Sequence, residues 1–319
     1  MENLLITGGA GFIGSSFIER LLKNNYQGKI ICLDDFNDYY SPAIKRENIA
    51  EFKNYPNFLL RQADITDYPS LKRVFEANRI GQVVHLAARA GVRPSIQDPL
   101  LYGQVNVNGT MNLLKLAQEN GVSKFIFASS SSVYGNNKKI PFAETDNVDF
   151  PISPYAATKK SGELICYTYH HLYNINCFCL RFFTVYGPRQ RPEMAIHKFV
   201  AKIDREDTID MYGDGSTSRD YTYIDDITAA LKACLDRVKG YQIINLGNSH
   251  PVTLRQLIEI IEQKLGKKAK IRQMGMQPGD VETTFARIEK AKQILDYNPS
   301  TPLEQGIEKF INWYRQKEN

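Results

Sequence analysis

The stretch Leu4-Leu5-Ile6-Thr7-Gly8-Gly9-Ala10-Gly11-Phe12-Ile13-Gly14 decides the fold of this chain. A short apolar run, closely spaced glycines and then residues at helical spacing is the order in which a strand turns into a helix over a phosphate. Gly8 and Gly9 permit backbone angles closed to other residues, Gly11 lets the backbone approach a pyrophosphate, and Gly14 lets the first helix press against the sheet. Around Phe12 and Ile13 the free amides and the dipole of that helix face the anion. These five positions, Gly8, Gly11, Phe12, Ile13 and Gly14, are therefore assigned to a dinucleotide pocket.

Working outward, Phe17, Ile18, Leu21 and Leu22 repeat at helical spacing, and a second strand, Lys29 to Leu33, ends at Asp34. A carboxylate about 20 residues beyond the last glycine accepts from both hydroxyls of an adenosine ribose and repels a 2′-phosphate, so NAD is expected rather than NADP. The polar and aromatic segment Phe36 to Pro42 reads as a loop over the adenosine side. Strand-like runs recur at Asn57 to Gln62, Gln82 to Leu86 and Lys124 to Ala128, with helical patterns at Leu71 to Ala77 and Met111 to Gln118 between them. This alternation predicts an α/β fold, a Rossmann-type doubly wound parallel sheet. Asp64 and Ile65, after the third run, are candidates for the adenine. Leu86, Ala87 and Ala88, after the fourth, leave small residues where a cofactor passes.

Composition fits an ordinary globular protein. The chain has 319 residues, 43% of them hydrophobic, enough for a large core and a second, smaller lobe. With 40 Lys+Arg against 35 Asp+Glu and no long basic run, nucleic acid is not an expected partner, whereas a local site for a phosphorylated ligand is. Five cysteines without a C-x-x-C pair read as reduced core residues, and no metal site is expected. No apolar stretch is long enough to cross a bilayer, and the first strand begins where a signal peptide needs its charged region, so a cytoplasmic location is expected.

The chemistry is carried further along. Ala128-Ser129-Ser130-Ser131-Ser132 places hydroxyls at the carboxyl end of a central strand, where open α/β sheets bind their ligands. Downstream, Tyr155 and Lys159 stand four apart on one helical face, a spacing that lets an ammonium lower the phenol pKa from about 10 toward working pH and makes Tyr155 a usable general base.

Together, Gly8, Gly11, Gly14, Ser130, Tyr155 and Lys159 resemble the extended short-chain dehydrogenase/reductase family, in its nucleotide-sugar epimerase and dehydratase branch. The resemblance covers almost the whole chain. It implies that Tyr155 takes the proton of a sugar hydroxyl, that Lys159 holds the nicotinamide ribose and tunes Tyr155, and that Ser130 hydrogen-bonds the reacting oxygen. In that branch 4,6-dehydratases carry an aspartate and a glutamate after the residue matching Ser130, and UDP-glucuronate decarboxylases a glutamate at the second position. Here Ser131 and Ser132 stand instead, and neither can act as such an acid or base near neutrality.

The smaller C-terminal lobe is expected to begin at 182, giving a dinucleotide-binding domain over 1–181 with a return segment near 217–246, and a nucleotide-sugar-binding domain over 182–319. Arg189 and Arg191, on a proline-flanked loop, are planar donors suited to a carboxylate or phosphate. The run from Arg181 through Thr184 to Pro188, continued by Arg191-Pro192-Glu193-Met194-Ala195, looks like that of UDP-glucuronate 4-epimerases. The resemblance implies that Thr184 and Arg191 grip a sugar carboxylate, with Ser131 and Ser132 beside it, that Arg219 reaches the substrate diphosphate, and that Asp280 lies near the nucleotide ribose. It implies conversion of UDP-glucuronate to UDP-galacturonate through a 4-keto sugar, with NAD held tightly in a homodimer built on residues 100–118 and 156–172. The alternatives are a UDP-glucose or UDP-N-acetylglucosamine 4-epimerase, a 4,6-dehydratase, or a binding protein without turnover. Asp225 and Asp226 are expected to cap a helix over Ile227 to Cys234.

Overall fold

A computed structural model describes residues 2–276 and 281–318. The expected strand, turn and helix at the start are β1 (Asn3–Thr7) and α1 (Phe12–Lys23). The first half then alternates: β2 (Ile30–Asp34), a short α2 (Pro42–Asn48), β3 (Phe58–Gln62), α3 (Tyr68–Asn78) and β4 (Ile80–His85). Short helices α4 (Val92–Gln97) and α5 (Pro99–Tyr102) lead through a π-helical stretch, Gly103–Asn108, into α6 (Gly109–Glu119). Next come β5 (Lys124–Ser130), α7 (Pro154–Tyr173) and β6 (Asn176–Phe182).

The second half comprises β7 (Thr184–Tyr186), α8 (Ala195–Asp204), β8 (Thr208–Tyr212), β9 (Ser218–Tyr223) and α9 (Ile224–Arg237). It closes with β10 (Tyr241–Leu246), β11 (Pro251–Thr253), α10 (Leu254–Leu265), β12 (Lys270–Met274), α11 (Glu289–Leu295) and α12 (Leu303–Glu318).

Seven strands form one sheet in the order β10-β6-β5-β4-β1-β2-β3, and every pairing in it is parallel. The order reverses direction at β1 and β4, and the crevice beyond the carboxyl ends of those strands is where such sheets bind ligands. A parallel sheet is covered on both faces, so its strands read as nearly continuous apolar runs. Leu4 and Ile6 pack with α1 and α9 residues such as Phe17, Ile18 and Leu231 in one core. Leu5, one residue away and on the opposite face, packs with Leu71, Leu113 and Leu116 of α3 and α6 in another. Complete burial of each of these β1 side chains contributes about 1.5–3 kcal/mol.

β10 returns from the second half of the chain to pair with β6 at the sheet edge. Two small sheets, β11-β9-β7 and β12-β8, carry the rest. The helix after β9 starts at Ile224, earlier than its apolar spacing suggested, with Tyr223 at its cap. Asp225 and Asp226 therefore lie inside the first turn, where they complement the dipole, and Asp226 accepts from the Ser300 amide (3.2 Å). All five cysteines are free and buried. Among the described residues no helix is long and apolar enough to cross a membrane, and no cluster of potential ligands could hold a metal ion.

Candidate active site

A cavity of about 490 Å³ opens over the carboxyl ends of β1, β2, β4 and β5 and reaches across to β7 and β9. At one end is the glycine turn. Gly8 adopts φ +66°, and a Cβ there would come within 2.7 Å of the Ala87 amide nitrogen, so only glycine fits between β1 and the loop after β4. Gly9, by contrast, has no left-handed backbone; its missing side chain makes room for the Cys32 sulfur, 2.6 Å from where a Cβ would stand. Packing against β2, not backbone freedom, is what Gly9 supplies. Gly14 approaches the turn rather than the sheet: a Cβ there would collide with the Gly8 carbonyl oxygen.

Asp34 ends β2 inside this cavity. Its carboxylate accepts from the amides of Ala10 (3.1 Å) and Phe36 (3.0 Å), and the Lys45 ammonium stands 3.9 Å away. Burial raises the Asp34 pKa, and the two amides and Lys45 oppose that rise. Leu86, Ala87 and Ala88 line the wall as expected, as does Ile65. Asp64 does not. It is exposed and turned out of the cavity, where its carboxylate accepts from the Thr66 amide (2.8 Å) in its own turn; Ala63 and Ile65 line the wall instead.

Midway along the cavity lie Ser130, Tyr155 and Lys159. Ser153 caps α7 by accepting from the Ala156 amide (3.1 Å), and Pro154 occupies the position after the cap, where no amide is missed. Tyr155 consequently sits in the first turn and Lys159 one turn on. Burial raises the Tyr155 phenol above its ordinary value, while a hydrogen bond with Ser130 and the positive charge of Arg191 lower it. Lys159 is 4% exposed and donates to the Ala128 carbonyl oxygen (2.7 Å), with its nitrogen 5.9 Å from the Tyr155 ring centroid. Its own pKa is depressed to about 8 by burial.

Four serines do not all face the chemistry. The Ser129 hydroxyl donates to the Glu163 carboxylate (2.7 Å), which pairs in bidentate fashion with Arg181 (2.8 and 2.9 Å) in the core between α7 and β6. The Ser132 hydroxyl donates to Ser130 Oγ (2.9 Å), and Ser131 and Ser132 line the cavity.

At the far end stand Thr184, Arg191 and Arg219. Arg191 Nε lies 3.1 Å from Glu193, and Nη2 is 3.3 Å from the Met194 sulfur, so its own loop aims it. Arg219 donates to the Ser218 carbonyl (2.8 Å). Arg189 is not among the cavity residues. Its backbone is left-handed (φ 67°) and its guanidinium pairs with Glu19 of α1 at 2.7 Å, which ties this loop to the first helix. Asp280 falls outside the described residues.

A family model described as GDP-mannose 4,6-dehydratase matches residues 5–310. The chain belongs to that family. A UDP-glucuronate 4-epimerase of Thermodesulfobacterium geofontis is 46% identical over 318 residues, spanning 99% of this chain and 97% of the relative. Among solved structures, the UDP-glucuronic acid 4-epimerase of Bacillus cereus in complex with UDP-glucuronic acid and NAD superposes with a TM-score of 0.93 at 35% identity, covering 99% of each chain. The UDP-glucose 4-epimerase of Thermotoga maritima with UDP-glucose gives 0.91 at 31%, covering 99% of this chain and 100% of that one.

This member of the GDP-mannose 4,6-dehydratase family also places residues in its site that sequence reasoning passed over. Lys45 and Arg89 line the cavity, as do Tyr39 and Tyr40 of the loop expected over the adenosine side. Tyr39 donates to the Ala90 carbonyl (2.7 Å) and lies under the guanidinium of Arg191, 5.5 Å from its ring centroid. Asn106 receives the Arg89 amide (2.8 Å) and donates both to the Arg89 carbonyl (2.9 Å) and to Thr158 (3.0 Å), fastening the cavity wall to α7 beside Lys159. Only the concentration of aromatics after Asp34 gave a sequence signal for any of these.

Proposed function

We propose that this chain is a UDP-glucuronate 4-epimerase that interconverts UDP-glucuronate and UDP-galacturonate with a retained NAD. One observation carries the reading: the Tyr155–Ser130 pair lies between a glycine turn with a carboxylate beyond it and an arginine with a threonine, and hydroxyls rather than carboxylates follow Ser130. The activities for which the similar proteins are named agree with it.

The residues present fit the dinucleotide. The turn from Gly8 to Gly11 lines the cavity at the start of α1, where free amides suit a phosphate, and Asp34 has lone pairs left for the ribose hydroxyls beside the two amides it already accepts. Gly8, Gly11, Phe12, Ile13, Gly14, Asp34, Ile65, Leu86, Ala87, Ala88 and Lys159 would hold the cofactor. When bound, NAD supplies a reversible hydride acceptor at the sugar carbon. Tyr155 takes the proton of the C4 hydroxyl and later returns it, and Ser130 hydrogen-bonds the same oxygen. A 4-keto uronate is a β-keto acid, which loses carbon dioxide when its carboxylate bond lies along the carbonyl π system. Thr184, Arg191, Ser131 and Ser132 hold the carboxylate out of that alignment, and Arg219 takes the substrate diphosphate.

Exposed apolar side chains on α5, α6 and α7 support a homodimer through those helices: Leu100 is 84% exposed, and Met111, Leu164 and Leu172 are exposed as well. Five unpaired cysteines support a cytoplasmic setting. The deciding experiment is incubation of the purified protein with UDP-glucuronate without added cofactor, followed by NMR. UDP-galacturonate is the expected product; faster turnover of UDP-glucose or UDP-N-acetylglucosamine, or a 4-keto-6-deoxy product, would sink the assignment.

A further inference from the structure

Arg191 is held from both halves of the chain. Its own loop engages two of its nitrogens: Nε stands 3.1 Å from Glu193, and Nη2 is 3.3 Å from the Met194 sulfur. A guanidinium is a flat fork of five N–H donors, and contacts along one edge fix that edge without fixing the tilt of the plane. What lies against its face comes from elsewhere. The guanidinium carbon of Arg191 is 5.5 Å from the ring centroid of Tyr39, on the loop after β2, and both residues line the cavity.

Tyr39 is itself braced. Its hydroxyl donates to the Ala90 carbonyl (2.7 Å), which also accepts from the Tyr102 hydroxyl (2.7 Å). Its amide donates to Asn37 Oδ1 (3.1 Å), and the Asn37 carbonyl accepts from Lys45 (2.9 Å). Gly91 leaves room for the phenol, since a Cβ there would stand 2.9 Å from Tyr39 Oη. Anchored at its tip and at its backbone, the ring is a fixed platform under the arginine. An aromatic face attracts a guanidinium and stacks with it, which a non-aromatic side chain of similar size cannot do.

We propose that Tyr39 is a positioning residue for substrate selectivity: its ring sets the tilt of the Arg191 guanidinium, so that the donors left over by Glu193 and Met194 meet the carboxylate of a uronate sugar. This deepens the UDP-glucuronate reading and rests on it. The loop over the adenosine side thereby takes part in choosing the sugar at the other end of the cavity.

Tyr39→Leu and Tyr39→Met each remove the ring. In either variant kcat/KM for UDP-glucuronate should fall about three- to tenfold further than kcat/KM for UDP-glucose, and the ratio of decarboxylated pentose product to epimer should rise. Retained NAD, read by chromatography after denaturation, should match wild type. Tyr39→Phe keeps the ring and should restore most of both readouts. In an Arg191→Ala background, removing the ring should add nothing to either, because the group it aims is gone. Equal losses on the two substrates would overturn the proposal, as would loss of NAD in step with activity, a Phe variant as impaired as Leu, or effects that add in the double variant. Wild-type protein that leaves UDP-glucuronate unconverted would instead overturn the functional reading itself.

Discussion

The two ends of the cavity are made of different material. At the Asp34 end much of the wall is main chain and short side chains, Gly8, Gly11, Ala87 and Ala88, in the turns that follow β1 and β4, with Tyr40 and Lys45 beside Asp34. At the Arg191 end they are side chains from a loop and from β7 and β9, with Tyr39 reaching across from the other half. Main chain in a sheet has one shape, whereas a guanidinium can be re-aimed by whatever holds its nitrogens. The contrast teaches that steric fit governs the dinucleotide end and electrostatics the sugar end, so the two should fail in different ways.

The largest effect is expected from Gly14→Ala. The added methyl meets the Gly8 carbonyl inside the turn, and overpacking of that kind costs about 1–3 kcal/mol. Retained NAD should drop about 10- to 100-fold, and epimerisation of every UDP-sugar should fall with it. A variant that keeps its full NAD content would break the idea that shape rules this end.

Arg191→Ala should act on one substrate class only. Loss of a charge-assisted contact, about 1.5–3 kcal/mol, predicts kcat/KM for UDP-glucuronate about 10- to 100-fold lower. NAD content should match wild type, and turnover of neutral UDP-sugars should change by about twofold or less. The ratio of decarboxylated pentose product to epimer should rise; if it does not, the arginine has no role in holding the carboxylate.

A smaller effect near neutral pH belongs to His85, beneath the dinucleotide end. Its ring bridges Thr7 (2.7 Å) and Thr110 (2.9 Å), and burial, with the nearby charge of Lys159, depresses its pKa to about 3. The unfolded chain therefore binds a proton that the folded one refuses between pH 6.5 and about 3. Stability should fall as pH drops through that window, with a slope approaching ~1.4 kcal/mol per unit from this group. Replacement by Gln, which can bridge the same threonines, should flatten the slope between pH 6 and pH 4 in urea titrations.

The same contrast governs what could be read from the sequence. The β1 turn, Asp34 and the Tyr155–Lys159 pair were legible because glycine placement, strand ends and helical spacing are local properties, and local properties are written in consecutive residues. β10 was also legible as a return strand, from its apolar run. Arg189 and Arg191 were not separable. They differ by two positions on one loop, and only the left-handed backbone at Arg189 and the location of Glu19 on α1 send one outward and the other inward. Asp64 was misplaced for a related reason: it bonds back to its own turn, a competition that no spacing reveals. Lys45 and Asn106 escaped notice because their partners, Asp34 and the Arg89 backbone, are distant in sequence.

The return of β10 to the seven-stranded sheet has a mechanical consequence. The polypeptide leaves that sheet after β6, comes back for α9 and β10, and leaves again for β11, so three strands of covalent chain join it to the smaller sheets. A single swivel cannot separate bodies laced together three times; all three crossings would have to bend in concert.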